Sequence, residues 1–165
     1  MVILGIDPGF AIVGWGVLEC VGGKFRVMGY GSIQTKAGLP IEERLSQIYD
    51  GMNTIIEKYK PDVMSIEELF WNTNQKTGIC VAEARGTILL SAHKHGLQIF
   101  EYTPLQVKQA VVGYGRAEKK QVITMVTAIL KLPKPPKPDD TADALALAIC
   151  HGHAGSNVLS KFYRM

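Results

Sequence analysis

Cysteine is scarce in this chain: Cys20, Cys80 and Cys150 are all there is. The number is odd and no pair has C-x-x-C spacing, which argues against a disulfide framework and for a reducing compartment. No apolar run approaches the roughly 18 residues of a membrane span. The chain opens directly into a strand-like run, without a basic leader and apolar signal core, so the cytoplasm is the expected location. Histidine is sparse too. Neither His93-x-His95 nor His151-x-His153 has cysteines beside it or the H-E-x-x-H spacing of a zinc site, and all four read as structural or solvated. Internal repeats and interdomain linkers are absent. A chain of 165 residues with these omissions reads as one soluble globular domain.

What is present is unevenly charged. The formal net charge is only +3. Between Pro104 and Pro138, however, seven bases (Lys108, Arg116, Lys119, Lys120, Lys131, Lys134 and Lys137) face one acid, Glu118. The rest of the chain is net acidic. A basic sector beside an acidic remainder fits a polyanion held against a cation site. A solvated helix face followed by a Lys/Pro loop would give the same charge count.

The hydrophobic pattern gives the elements. Met1 to Asp7 is a continuous apolar run, the mark of a strand buried on both faces. Ala11 to Val21 and Lys24 to Thr35 are strands joined by a Gly22-Gly23 turn. Ile41, Leu45, Ile48, Met52, Ile55 and Ile56 mark an amphipathic helix from about Pro40 to Lys60. Val63 to Glu67 is a fourth strand, Gln75 to Gly96 a helix, and Leu97 to Tyr102 a fifth strand. Thr103-Pro104 caps a short helix ending at Val112. Glu118 to Leu132 is helical, and Pro133 to Pro138 is a stiff extended loop. Asp139 opens a last helix to about His153, and residues 154–165 form a tail without clear period, expected to be partly disordered. The order β-β-β-α-β-α-β-α-α-α predicts an α/β fold, a mixed five-stranded sheet with helices on its faces.

Acids stand where that fold would gather them. Gly5-Ile6-Asp7-Pro8-Gly9 and Ser65-Ile66-Glu67 end two strands, and Asp140-Thr141-Ala142-Asp143 lies at the start of the last helix. If the first and fourth strands pair in parallel, Asp7 and Glu67 are neighbours at the carboxyl edge, where open α/β sheets bind ligands. Asp140 and Asp143 share a helix face. Asp139 reads more simply as a capping acid suited to the helix dipole. Asp143 lies beyond the cap in an Ala/Leu-rich stretch, and a buried acid needs a partner. Clustered oxygen donors suit Mg²⁺ or Mn²⁺. A carboxylate-held metal pair is a common device for cutting phosphodiesters.

The same segments resemble the RuvC family, bacterial Holliday-junction resolvases of the ribonuclease H-like fold. The resemblance is carried by Gly5-Ile6-Asp7-Pro8-Gly9, Ile66-Glu67-Glu68-Leu69-Phe70, Gln106-Val107-Lys108-Gln109-Ala110-Val111-Val112-Gly113 and Asp140-Thr141-Ala142-Asp143-Ala144-Leu145-Ala146. It runs from Met1 to about His153. It implies that Asp7, Glu67, Asp140 and Asp143 are the metal-binding acids, that Lys108 and Lys119 belong to the basic sector, and that Phe70 stacks on bases at the crossover. It also implies a homodimer that nicks two strands of like polarity, and a partnership with the RuvA–RuvB branch-migration motor. The chain departs from the pattern in the double acid Asp139-Asp140, in Trp71 after Phe70, and in a short, barely basic tail.

The expected chemistry is hydrolysis by two Mg²⁺, with Mn²⁺ as substitute, held by the four acids and with Asp7 bridging. One metal activates water and one stabilises the leaving 3′ oxygen, giving a 5′-phosphate. Lys108, Arg116, Lys119 and Lys120 are expected on DNA phosphates. Phe70, with Trp71, is expected to stack on bases. Three other readings stay open from residues alone. They are a sugar-kinase-type phosphate binder, a non-catalytic junction-binding protein, and a nuclease of RNA–DNA hybrids.

Overall fold

A computed structural model of the chain describes residues 1–69 and 75–156. Five strands run β1 (Val2–Asp7), β2 (Ile12–Val21), β3 (Lys24–Gln34), β4 (Val63–Glu67) and β5 (Gln98–Tyr102). Five helices are α1 (Ile41–Tyr59), α2 (Gln75–Lys94), α3 (Pro104–Val112), α4 (Lys119–Ile129) and α5 (Asp139–Ser156). The strands form one sheet in the order β3-β2-β1-β4-β5. β1 pairs antiparallel with β2 and parallel with β4, so the sheet is mixed, as expected.

The central strands are apolar on both faces because both faces are covered. Leu4 and Ile6 of β1, with Met64 and Ile66 of β4, pack against Ile48, Met52 and Ile55 of α1 and Ala84 and Ile88 of α2. The alternate residues face the other layer, where Ile3, Leu18 and Val63 meet α3, α4 and α5 through Val107, Val122, Leu145 and Ile149. Side chains alternate with period two along a strand. Asp7 therefore continues the row Ile3-Gly5, and Glu67 continues the row Val63-Ser65. Both acids point toward the α5 layer.

Helix α5 is apolar around most of its circumference, which marks a fully buried helix. From Ala144 to Cys150 every residue is buried. Two strand glycines let it lie that close. A Cβ on Gly5 would stand 2.0 Å from the backbone oxygen of Ala144, and one on Gly14 would stand 2.0 Å from that of Asp140. The buried Ser65 hydroxyl donates to the Leu147 carbonyl at 2.8 Å, and Thr141 donates to Gly31 at 3.1 Å. These contacts seat the first half of α5 across β3, β2, β1 and β4.

Two element ends differ from expectation by three residues, the others by two or fewer. α4 stops at Ile129 rather than Leu132, because Lys131 takes a left-handed φ of 51°. The Leu132 amide then turns back to the Thr127 carbonyl at 2.9 Å. No glycine announces this stop. α5 runs on to Ser156, beyond His153.

Candidate active site

The site starts from strand register. Ile6 of β1 pairs with Ile66 of β4, so Asp7 and Glu67 follow side by side at the strand ends. Pro8-Gly9 ends β1 directly after the acid. From α5, Asp140 and Asp143 rise one turn apart toward the same place. Burial, followed by the charges of Glu67, Asp143 and Asp140, raises the Asp7 carboxyl to about 8. Asp7 and Glu67 act directly on each other. Glu67 is also raised, chiefly by burial, against the pull of Lys119 and Lys108. Asp143 is raised by burial as well, opposed by Lys119.

Glu67, Asp140 and Asp143 thus all lie within electrostatic reach of Asp7, and the adjacent Asp139 and Asp140 meet different partners. Asp139 pairs with Lys137, whose Nζ lies 2.8 Å from its Oδ1 and holds its carboxyl below the usual range, while its charge still reaches Asp143 and Lys119. Asp140 is the acid that acts on Asp7.

The basic residues divide. Lys119, the first residue of α4, places Nζ 2.8 Å from Asp143 Oδ2. Its hydrogen bond to Asp143 raises the lysine above its ordinary value. Lys108 of α3 lines the same cleft and acts on Glu67. Arg116, in the loop before α4, and Lys120, on α4, are exposed. Phe70 and Trp71 lie outside the described residues. The cleft is about 210 Å³, lined by Glu67, Lys108, Lys119, Asp143 and the apolar Val107, Val122 and Leu147. Asp140 opens on a second, wider groove with Gly9, Phe10, Ile12, Cys80 and Val81. The acids thus sit between two concavities, one of them basic.

The histidines serve the fold. His151 is buried, hydrogen-bonded through Nδ1 to the Tyr102 hydroxyl at 2.8 Å and packed on Phe100 with ring centroids 4.4 Å apart. Burial lowers it to about 4. His95 Nδ1 meets the Ser91 carbonyl and His153 Nδ1 that of Ala110. Sequence reasoning missed the glycine seat under α5. Gly14 and Gly16 in an otherwise strand-like run are the readable signal, since strand glycines mark close backbone approach.

Similarity to known proteins agrees with this geometry. The family model for crossover junction endodeoxyribonuclease RuvC matches residues 3–151. The chain belongs to the RuvC family. It is 56% identical over 156 residues to the RuvC of Alkaliphilus oremlandii, covering 94% of this chain and 95% of that one. The RuvC of Ruminiclostridium cellulolyticum is 58% identical over 154 residues, with 93% of each chain covered. The solved structure of Thermus thermophilus RuvC in complex with Holliday junction substrate superposes with a TM-score of 0.89 at 34% identity, covering 94% of this chain and 95% of that one. The fold is therefore the ribonuclease H-like fold of RuvC, and the chain is a crossover junction endodeoxyribonuclease.

RuvC nucleases are metal-dependent, and the residues here fit a metal. The donors are all carboxylate oxygens, the chemistry hard divalent cations prefer. Gathering them under partial burial is costly without a cation, as the raised Asp7, Glu67 and Asp143 carboxyls record. Among the described residues, no three acids are drawn as tightly as an ion would draw them. Lys119 on Asp143 offsets part of the repulsion.

Proposed function

We propose that Asp7, Glu67, Asp140 and Asp143 form the catalytic centre of this junction nuclease and hold two Mg²⁺ ions, with Mn²⁺ able to substitute. The observation that carries this reading is the convergence of four acids from β1, β4 and α5 with Asp7 raised to about 8. When bound, the metals supply an activated water and charge stabilisation for the leaving 3′ oxygen, leaving a 5′-phosphate. Asp7, on the central strand and the most perturbed of the acids, would be a principal ligand of the metals. Lys119 and Lys108 line the cleft and hold the scissile strand's phosphates, while the exposed Arg116 and Lys120 extend the basic track. Phe70 stacks on a base at the crossover.

The working unit is a homodimer, since a four-way junction offers two equivalent strands to a two-fold assembly. The exposed Ile79 and Leu90 on α2 support this. Sedimentation as a monomer at cleaving concentrations would remove it. The RuvA–RuvB motor is its partner, and recombination and repair in the cytoplasm are its setting. Residues 1–153 are the nuclease domain and 154–165 a tail whose first three residues continue α5. Among the described residues, no helix is long and apolar enough to cross a membrane.

The test is cleavage, with Mg²⁺, of a four-way DNA junction beside linear duplex and RNA–DNA hybrid. Paired nicks on the junction alone, lost in Asp7→Asn with junction binding retained, are expected. Normal cutting by Asp7→Asn would overturn the site assignment.

A further inference from the structure

We propose that Tyr114 is a positioning residue for the cleavage step, acting through the N-terminus of α4 to set Lys119 over the carboxylates. The proposal rests on the site assignment above and adds a residue outside it.

The chain of contacts is short. The Tyr114 hydroxyl donates to Gln121 Oε1 at 2.8 Å. The same oxygen accepts the Glu118 backbone amide at 2.8 Å. Glu118 is the N-cap of α4, and Gln121 is its third residue. Gln121 thus reaches back over the first turn, as in a capping box. The residue that begins the turn is Lys119, whose Nζ lies 2.8 Å from Asp143 Oδ2. A single amide oxygen therefore joins the exposed tyrosine to the turn that carries the cleft's ammonium.

The surroundings suit a brace. Ala117 and Val122, on either side of the turn, are buried and hold α4 to the core. The loop before them has only light anchors. Gly113 caps α3 in the left-handed region, and Gln109 Nε2 donates to its carbonyl at 2.7 Å. Gly115 lies over the exposed Leu105, with room for no Cβ: one would stand 2.8 Å from Leu105 Cγ. Tyr114 itself is 46% exposed and stands two residues from Arg116. Its hydroxyl is the side-chain link from this loop tip to the α4 turn. A tyrosine placed only for packing would be buried, and one placed only to meet DNA would not need its hydroxyl anchored to the capping oxygen.

Losing one neutral hydrogen bond of this kind is expected to slow the chemical step by about three- to ten-fold. The experiment measures the single-turnover cleavage rate at saturating enzyme and, separately, junction affinity in Ca²⁺ buffer. The proteins are wild type, Tyr114→Phe, Gln121→Ala and the double variant, with Asp7→Asn as control. Tyr114→Phe keeps the ring and serves as the conservative change, with thermal melting to verify the fold. The expected result is a slower cleavage rate in Tyr114→Phe with unchanged affinity, and a double variant no slower than Gln121→Ala. A wild-type rate in Tyr114→Phe overturns the proposal, as does weakened affinity with an unchanged rate. So does a double variant slowed by the product of the two single effects. An active Asp7→Asn would overturn the site assignment instead, which keeps the two failures distinct.

Discussion

At the scale of single residues, Asp7 shows how function and stability oppose each other. Burial, then the neighbouring acids, raise its carboxyl from 3.8 to about 8. An acid raised on folding stabilises the protein fully below its unfolded value, and that contribution fades as pH rises through the folded value. In EDTA, wild type should therefore lose stability between about pH 4 and pH 8 relative to Asp7→Asn. The gap in melting temperature should be small near pH 4 and reach on the order of 5 °C at pH 9. Melting curves of both proteins across that range check it, and a pH-independent gap would contradict it. His151 runs the other way. Its buried ring, lowered to about 4, destabilises both proteins alike as pH falls below 6.5, so the comparison cancels it. Asp7, Glu67 and Asp143 were legible because each acid interrupts or ends an apolar run. The choice between Asp139 and Asp140 was not, because it depends on Lys137 reaching Asp139 at 2.8 Å. Tyr114 was equally silent, since its role lies in one shared oxygen of Gln121.

At the scale of elements, the site depends on how closely α5 lies on the sheet. Strand continuity, the α1 period and the all-round apolar character of α5 were readable from hydrophobic pattern alone. The end of α4 was not, because a lysine rather than a glycine takes the left-handed φ of 51° there. The seat of α5 was half legible: strand glycines signal close approach without naming what approaches. Adding one methyl group tests it. In Gly14→Ala the new Cβ would meet the Asp140 carbonyl at 2.0 Å, a backbone atom with nowhere to go. The helix must move, and overpacking of this kind costs about 1–3 kcal/mol or more. Because Asp140 is the residue pushed, cleavage should fall by at least about a hundred-fold, more than partial unfolding explains. Gly22→Ala, in the exposed β2–β3 turn with nothing within 4 Å, should lose some stability to its φ of 57° and leave cleavage near wild type. Equal activity loss per degree of melting temperature in the two variants would contradict the seat.

At the scale of the whole molecule, three remote segments supply one acidic centre, and α3 with α4 set a basic wall beside it. This division into an acidic remainder and a basic sector was visible in the charge count. Which bases reach the cleft was not, because Lys119 and Lys120 are neighbours on α4, of which Lys119 alone lines the cleft, and Arg116 lies in the loop before that helix. The exposed bases should matter for holding DNA rather than for cutting it. Lys120→Ala should weaken junction binding and shallow its log–log salt slope by roughly one unit per subunit engaged, leaving the saturated cleavage rate unchanged. An unaltered slope would take Lys120 off the DNA track. The central claim is that the fold gathers four carboxylates to hold metal, and counting Mn²⁺ bound per protomer tests it most directly. Calorimetric titration should give two sites in wild type, with Asp7→Asn losing at least one and binding the remainder more weakly. Equal stoichiometry and affinity in the two proteins would contradict it.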